Sequence, residues 1–241
     1  IYTLSLHDAL PILVIEVFGH AVITDNAQVY DQARVGEQST LAEFAQVHER
    51  AFVTGNATIK KQAVIRGAAL IADEACVTGG AQVSGHARVL DNAFVCDDAQ
   101  VTGYATIMRD AMACHNAHVS GNAIVQGNAR VEGNSVVCGD AVLGEGVILQ
   151  GEAEVTETRD YVLAGPMSAN ALFVCAHLDR EIGIRVSYGE FSGSVSEFKE
   201  YIELGISNIY GIRSRFLATL AYIEACLRDR AQALLAKAKV D

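Results

Sequence analysis

The side chains best suited to chemistry lie in one short stretch of the chain, where Cys114, His115 and His118 stand close together. A histidine held by a carboxylate can act as a general base, and cysteine and histidine are common zinc ligands. However, Cys114 and His115 are adjacent, and the spacing matches no closed zinc motif. Three hypotheses therefore stay open for this stretch: a catalytic base, a metal site, or the surface of a degraded repeat.

These residues belong to a six-residue repeat that runs from Gly19 to Val155 in a single register. Each hexad begins with a small residue and carries Val, Ile or Leu two places later, except at Ala113. Alanine fills the first place in all but three hexads, which have Ser39, Ser135 and Val147. The alternation is typical of a strand with one inward and one outward face, and the Gly-Asn pairs between strands predict corners, because both residues tolerate left-handed backbone. A repeat of this kind predicts a β-solenoid.

Three hexads would close one triangular coil, so residues eighteen apart should stack on successive coils. This arrangement places Cys96 next to Cys114, and Asp97 next to His115. A carboxylate beside an imidazole could orient a general base. His86 falls in a corner, where it is expected to replace asparagine as a surface residue.

The run Val53-Thr54-Gly55-Asn56-Ala57-Thr58-Ile59 resembles the hexapeptide repeat of left-handed β-helix proteins. The resemblance implies a left-handed coil, and it is strongest to uncharacterised bacterial and phage proteins built from Gly-Asn-Ala-x-Val repeats. This chain differs in placing glycine one position later after the aliphatic residue. Many members of the superfamily are acyl-CoA-dependent acyltransferases with a histidine base and an extruded loop, and many form trimers. No loop interrupts the register here.

The sequence divides into three parts. Residues 1–12 fit no register of the repeat and resemble mistranslated adapter DNA, with a signal peptide as the alternative, so this segment is predicted to be non-native. Residues 13–156 are predicted to form a left-handed parallel β-helix of about eight coils. Residues 157–241 are predicted to form a small α+β cap over its open end. The elements predicted in this cap are strands at Tyr161–Ala164, Leu172–His177 and Ile182–Tyr188, a helix that begins with a capping box at Ser194–Glu197 and stops near Gly205, and a final helix from about Ile209 to Lys237.

Composition limits the partners. The net charge of −11 argues against nucleic acid and anionic membranes, and no apolar run is long enough to span a bilayer. Six cysteines without framework spacing favour a reducing compartment. Together with the resemblance to bacterial and phage repeat proteins, this implies a cytoplasmic bacterial protein or a phage-associated one.

These observations favour a structural or binding scaffold without a cofactor or metal. The alternative, which rests on fold analogy, is an acyltransferase that uses acetyl-CoA or another acyl-CoA. The candidate catalytic residues under that alternative are His86, His115, His118 and Asp97. One outward column is apolar and predicts self-association, with a homotrimer as the expected form or else a cover supplied by the final helix. The column consists of Phe52, Leu70, Arg88, Thr106, Ile124 and Val142, and its apolar members are Phe52, Leu70, Ile124 and Val142.

Overall fold

The computed structural model describes residues 15–167, 172–205 and 211–239. The predicted non-native segment at 1–12 lies outside the described residues. Twenty-four two-residue strands form three parallel sheets of eight strands each. The prediction of a β-helix with three hexads per coil and eight coils is confirmed, and the left hand of the coil stays a prediction from the resemblance.

We number the strands in chain order, so that each face of the solenoid contains every third strand. Face 1 contains Glu16–Val17, Arg34–Val35, Phe52–Val53, Leu70–Ile71, Arg88–Val89, Thr106–Ile107, Ile124–Val125 and Val142–Leu143. Face 2 contains Val22–Ile23, Thr40–Leu41, Thr58–Ile59, Cys76–Val77, Phe94–Val95, Met112–Ala113, Arg130–Val131 and Ile148–Leu149. Face 3 contains Gln28–Val29, Gln46–Val47, Val64–Ile65, Gln82–Val83, Gln100–Val101, His118–Val119, Val136–Val137 and Glu154–Val155.

The core is a stack of identical layers. From Ala33 to Val155, the first and third residues of each hexad are buried, whereas the second residue is partly or fully exposed. Val131, for example, is 0% exposed, and its neighbour Arg130 faces solvent. Each buried aliphatic side chain contributes about 1.5–3 kcal/mol, so columns of them along the three faces hold the coils together.

The corners depend on a single left-handed residue. At every fifth hexad position from Gly19 to Gly139 the backbone has positive φ, and eleven of the left-handed residues are not glycine. Glycine is favoured there because it has no Cβ to strain this conformation, which accounts for its late position in the repeat. The interpretation of asparagine was wrong, since no described asparagine has positive φ. Corner asparagines instead form ladders between coils, as in Asn116 Nδ2 donating to Asn134 Oδ1 at 2.9 Å.

The C-terminal region adds an antiparallel sheet and two helices after a 3-10 turn at Thr158–Asp160. Its elements are β25 (Tyr161–Ala164), β26 (Val174–Asp179), β27 (Gly183–Tyr188), β28 (Phe191–Ser194), α1 (Val195–Gly205) and α2 (Ile212–Lys237). The first strand has the predicted bounds, β26 begins two residues later than predicted, and β28 was not anticipated. The capping box is present, because the Ser194 backbone N–H donates to Glu197 Oε2 at 2.7 Å and the Glu197 N–H donates to Ser194 Oγ at 3.3 Å. The helix ends at Gly205 as predicted.

Side chains of β26 cover the open edge of the last coil where a ninth coil would otherwise pair. Three alternate residues of this strand reach the exposed backbone of face 2 and the corner that follows it. Cys175 Sγ donates to the Ile148 carbonyl at 3.4 Å, the Gln150 N–H donates to His177 Nε2 at 3.4 Å, and the Glu152 N–H donates to Asp179 Oδ2 at 3.3 Å. Unpaired strand edges invite aggregation, and these bonds remove that hazard.

Residues just after the solenoid close the rest of the edge. Tyr161 Oη donates to the Val142 carbonyl at 3.0 Å, and the Val142 N–H donates to Thr158 Oγ1 at 3.1 Å. Asp160 is buried and accepts the backbone N–H of Thr156 at 2.8 Å. Arg230 of α2 pairs with the same carboxylate, which ties the final helix to the end of the solenoid.

The final helix packs on the antiparallel sheet. Its buried side chains, Phe216, Leu220, Ile223 and Leu227, share a core with β26, β27 and α1. The prediction that this helix could cover the apolar column of face 1 is therefore not supported, because the apolar side of the helix is buried in the core of the cap. Neither described helix combines the length and the hydropathy needed to cross a bilayer.

Candidate functional site

Two buried thiols and a carboxylate meet at the corner between faces 2 and 3. Cys96 and Cys114 occupy the fourth hexad position on successive coils, and they are 9% and 5% exposed. The two sulfur atoms and one carboxylate oxygen of Asp97 all lie within 4.8 Å of one another. The stacking predicted from the repeat thus brings Cys96 next to Cys114, as expected.

The thiols are held in their protonated form. Burial raises the pKa of the Cys96 thiol far above its usual range, and the hydrogen bond with Cys114 and the negative charge of Asp97 act in the same direction. Burial also raises the pKa of Cys114, although the hydrogen bond from Cys96 opposes this. Because the thiolate is the reactive form, neither cysteine is a ready nucleophile at neutral pH.

The predicted partnership between Asp97 and the imidazole of His115 is not formed. Asp97 Oδ2 accepts the backbone N–H of His115 at 3.2 Å. No described hydrogen bond or ion pair joins the carboxylate to the His115 ring. His115 occupies the left-handed corner position with φ 60°, and it is exposed. The geometry therefore gives Asp97 a backbone-holding role and leaves the ring outside the site.

The other two candidate histidines are elsewhere on the surface. His86 lies in the corner between faces 3 and 1, where its ring stacks on Tyr104 at 4.9 Å with an interplanar angle of 4°. His118 lies outward on face 3, between Gln100 and Val136 in the stack. The three candidate histidines do not converge on one place.

Sequence reasoning missed one residue in the thiol column. Thr78 stands at the same hexad position as Cys96, one coil earlier, and it is 5% exposed. Its hydroxyl has no hydrogen-bond partner among the described residues. An unpaired buried hydroxyl is unfavourable by about 1–3 kcal/mol. Comparing residues eighteen apart would have placed Thr78 in the column, but the missing partner is visible only in the structure.

A family model described as the YdcK β-solenoid repeat matches two parts of this region, residues 81–96 and 117–131. Both matched stretches lie in the solenoid, where each strand pairs in register with the strand eighteen residues away. The structure itself shows a β-helix built from six-residue repeats. The family match is confined to those two stretches. It therefore assigns no activity to this chain.

A solved structure that is similar over most of the chain is that of an acyltransferase. The crystal structure of UDP-N-acetylglucosamine O-acyltransferase from Moraxella catarrhalis covers 91% of this chain and 95% of its own, with 11% sequence identity and a TM-score of 0.49. This similarity carries no functional argument for the β-helix described here. No curated protein sequence matches the chain.

Proposed function

We propose that the protein is a rigid structural or binding scaffold that associates with further copies of itself through face 1. The observation that supports this proposal is a set of outward apolar side chains on face 1 that the final helix leaves uncovered, because that helix packs in the cap. Arg88 and Thr106 interrupt the set in the stack, and the Arg34 guanidinium lies 4.8 Å from the centre of the Phe52 ring. The apolar members of the set, Phe52, Leu70, Ile124 and Val142, are all partly exposed. We call this set the face 1 column. Exposed apolar patches beyond scattered single residues usually contact a partner.

The chemistry around the face 1 column suits a second copy of the chain. Leu90 and Met108 stand at the adjoining corner and are also partly exposed, so the apolar surface extends beyond the strands. Between Phe52 and Val142 the outward residues of this face include no acidic side chain. In a chain of net charge −11, such a surface allows copies to approach with less repulsion than the acidic corners do.

A ring of copies needs two different patches on each molecule. Face 2 supplies a second set of outward apolar side chains, Phe94, Met112 and Ile148, which are partly exposed. Arg130 lies between Met112 and Ile148 in the stack. A homotrimer, which the resemblance to hexapeptide proteins implies, would pair face 1 of one copy with face 2 of the next. Origin in a bacterium or phage and a cytoplasmic location stay predictions from the same resemblance.

The acyltransferase alternative gains no support from the described geometry. His86, His115 and His118 lie on different corners and faces, and Asp97 binds backbone instead of an imidazole. A general base must reach the proton that it removes, and the described residues give no pair arranged to hold one.

The decisive experiment is to place charge in the face 1 column. Leu70→Lys combined with Ile124→Lys should convert an oligomer into a monomer in light scattering, because each lysine ammonium group would be buried without a partner against the apolar side chains on face 2 of the next copy. The matched control is Gln82→Lys with Gln100→Lys, on the polar surface of face 3, and this pair should leave the assembly intact. A wild-type monomer whose melting temperature is the same as that of the face 1 variant would refute the proposal.

A further inference from the structure

The corner that contains Cys96 and Cys114 offers a set of ligand atoms that the scaffold proposal does not use. Two sulfur atoms and a carboxylate oxygen lie within 4.8 Å of one another, which is close enough for all three to bind one ion after small side-chain rotations. The thiols come from successive coils, and backbone bonds fix the spacing: Cys96 N–H donates to the Ala113 carbonyl and Cys114 N–H donates to the Val131 carbonyl, each at 3.0 Å. The thiols are therefore presented by a rigid frame.

We propose that Cys96, Asp97 and Cys114 bind one divalent metal ion of the zinc class. Sulfur ligands select zinc and its chemical relatives over magnesium and calcium, which prefer oxygen. Three protein ligands leave a fourth tetrahedral position, the arrangement found where zinc binds water or an external ligand. Asp97 is exposed and the two thiols are buried, so this fourth position would be reached from the solvent side of the corner.

The neighbours in the same column are suited to support such an ion. The Thr78 hydroxyl, one coil before Cys96, is buried and lacks a partner among the described residues. Glu132, one coil after Cys114, adds a second carboxylate in the column, partly exposed and 3.7 Å from Arg130. Outer-shell groups of this kind orient ligands and tune affinity.

Binding must displace the thiol protons. A thiol coordinates a metal ion as the thiolate. The balanced step is two Cys–SH groups plus M²⁺ giving two Cys–S–M bonds and two H⁺, with no oxidant or reductant. A metal ion makes this possible because it deprotonates the thiols that coordinate it. Affinity should therefore rise steeply with pH, by about a hundredfold per unit while two protons are released.

The test is a titration of the full chain with Co²⁺, a spectroscopic substitute for zinc, in the presence of a non-chelating reductant. We expect one ion per chain, a cobalt–thiolate charge-transfer band, and release of about two protons per ion. Zn²⁺ should displace the cobalt and abolish the band. Absence of the band in folded protein with free thiols would overturn the proposal.

Matched variants locate the site. Cys96→Ser and Cys114→Ser should each weaken binding by more than the roughly 10–100-fold that follows loss of an outer-shell partner. Asp97→Asn is an exposed change that should fold normally and still weaken binding. Cys138→Ser, at the same hexad position in a different column, should bind as the wild type does. A band that survives in the Cys96→Ser/Cys114→Ser double variant would also overturn the proposal. Light scattering of the same samples reports the oligomeric state, so a loss of metal binding can be distinguished from a loss of self-association through face 1.

Discussion

At the scale of single residues, Val131 and Arg130 are adjacent in one strand and face opposite environments. Val131 is fully buried between Ala113 and Leu149 in its column, whereas the Arg130 side chain is half exposed. Val131→Asp should lower the free energy of unfolding by more than about 4 kcal/mol, because it buries a charge that has no partner. Arg130→Asp should change it by about 1 kcal/mol or less. Urea denaturation of both variants measures the difference, and equal losses would contradict the inward and outward assignment.

The candidate histidines provide a second test at this scale. His86→Ala, His115→Ala and His118→Ala remove exposed or partly exposed side chains from three separate places. If the protein is a scaffold, each variant should retain the wild-type oligomeric state and a free energy of unfolding within about 1 kcal/mol. His86→Ala should show the largest loss, because its ring stacks on Tyr104. An acetyl-transfer activity of the wild type that one of these changes abolished would replace the scaffold proposal with the enzyme alternative.

At the scale of elements, β26 covers the edge of the last coil, and its sequence pattern only partly indicates this role. The sequence predicts a strand in this region from its β-branched and aromatic residues, and the strand exists. The alternation of Cys175, His177 and Asp179 marks one side of the strand as polar, but pattern alone does not say that this side is buried. All three residues are buried because they pair with backbone of the last coil. Contacts between distant segments depend on how the cap docks, and a single sequence carries no direct record of that.

His177 gives this docking a pH dependence. Burial lowers the pKa of His177 to about 4 from an ordinary value of 6.5, although Asp179 and the Leu178 carbonyl oppose the shift. The unfolded chain therefore binds a proton near pH 6.5 that the folded chain accepts only near pH 4. The resulting stability is present above pH 6.5 and is lost as the pH falls toward 4, by about 3 kcal/mol.

A non-titrating acceptor isolates this contribution. His177→Gln can still accept the Gln150 N–H, so its stability should fall less than that of the wild type between pH 7 and pH 4. His86→Gln, at an exposed corner, is the matched control and should follow the wild-type curve. Asp179 is present in both proteins and so contributes to both curves: burial raises the pKa of its carboxyl, but the hydrogen bonds that it accepts from Arg185, Glu181 and Ile182 outweigh this and lower the pKa. Parallel curves for wild type and His177→Gln, measured by urea denaturation, would contradict the assignment.

At the scale of the whole molecule, the repeat could be predicted almost residue by residue, and the assembly around it could not. A hexad contacts only its neighbours along the chain and the hexads eighteen residues away, so local pattern determines the strands, the core and the columns. The placement of α2 depends instead on the shared core of Phe198, Phe216 and Ile223. The apolar side of α2 predicts that the helix packs against another apolar surface. Both face 1 of the solenoid and the sheet of the cap offer such a surface, so the sequence pattern does not distinguish them. The missing partner of the Thr78 hydroxyl is likewise visible only in three dimensions, whereas the shared position of the two thiols follows from the eighteen-residue period.

The way in which the cap closes the solenoid has a consequence for how such proteins change in length. Cys175, His177 and Asp179 bond to carbonyl and N–H groups of the last coil, and every coil of the stack presents equivalent backbone groups. These three contacts of the cap depend on the backbone geometry of the last coil, and the ion pair of Arg180 with Glu152 at 2.6 Å adds a contact with one of its side chains. A gene that gains or loses an eighteen-residue unit would shift this edge by about 4.8 Å and still present a surface that the same cap can terminate. The same C-terminal region could therefore terminate solenoids with different numbers of coils, and the number of repeats would set the length of the protein.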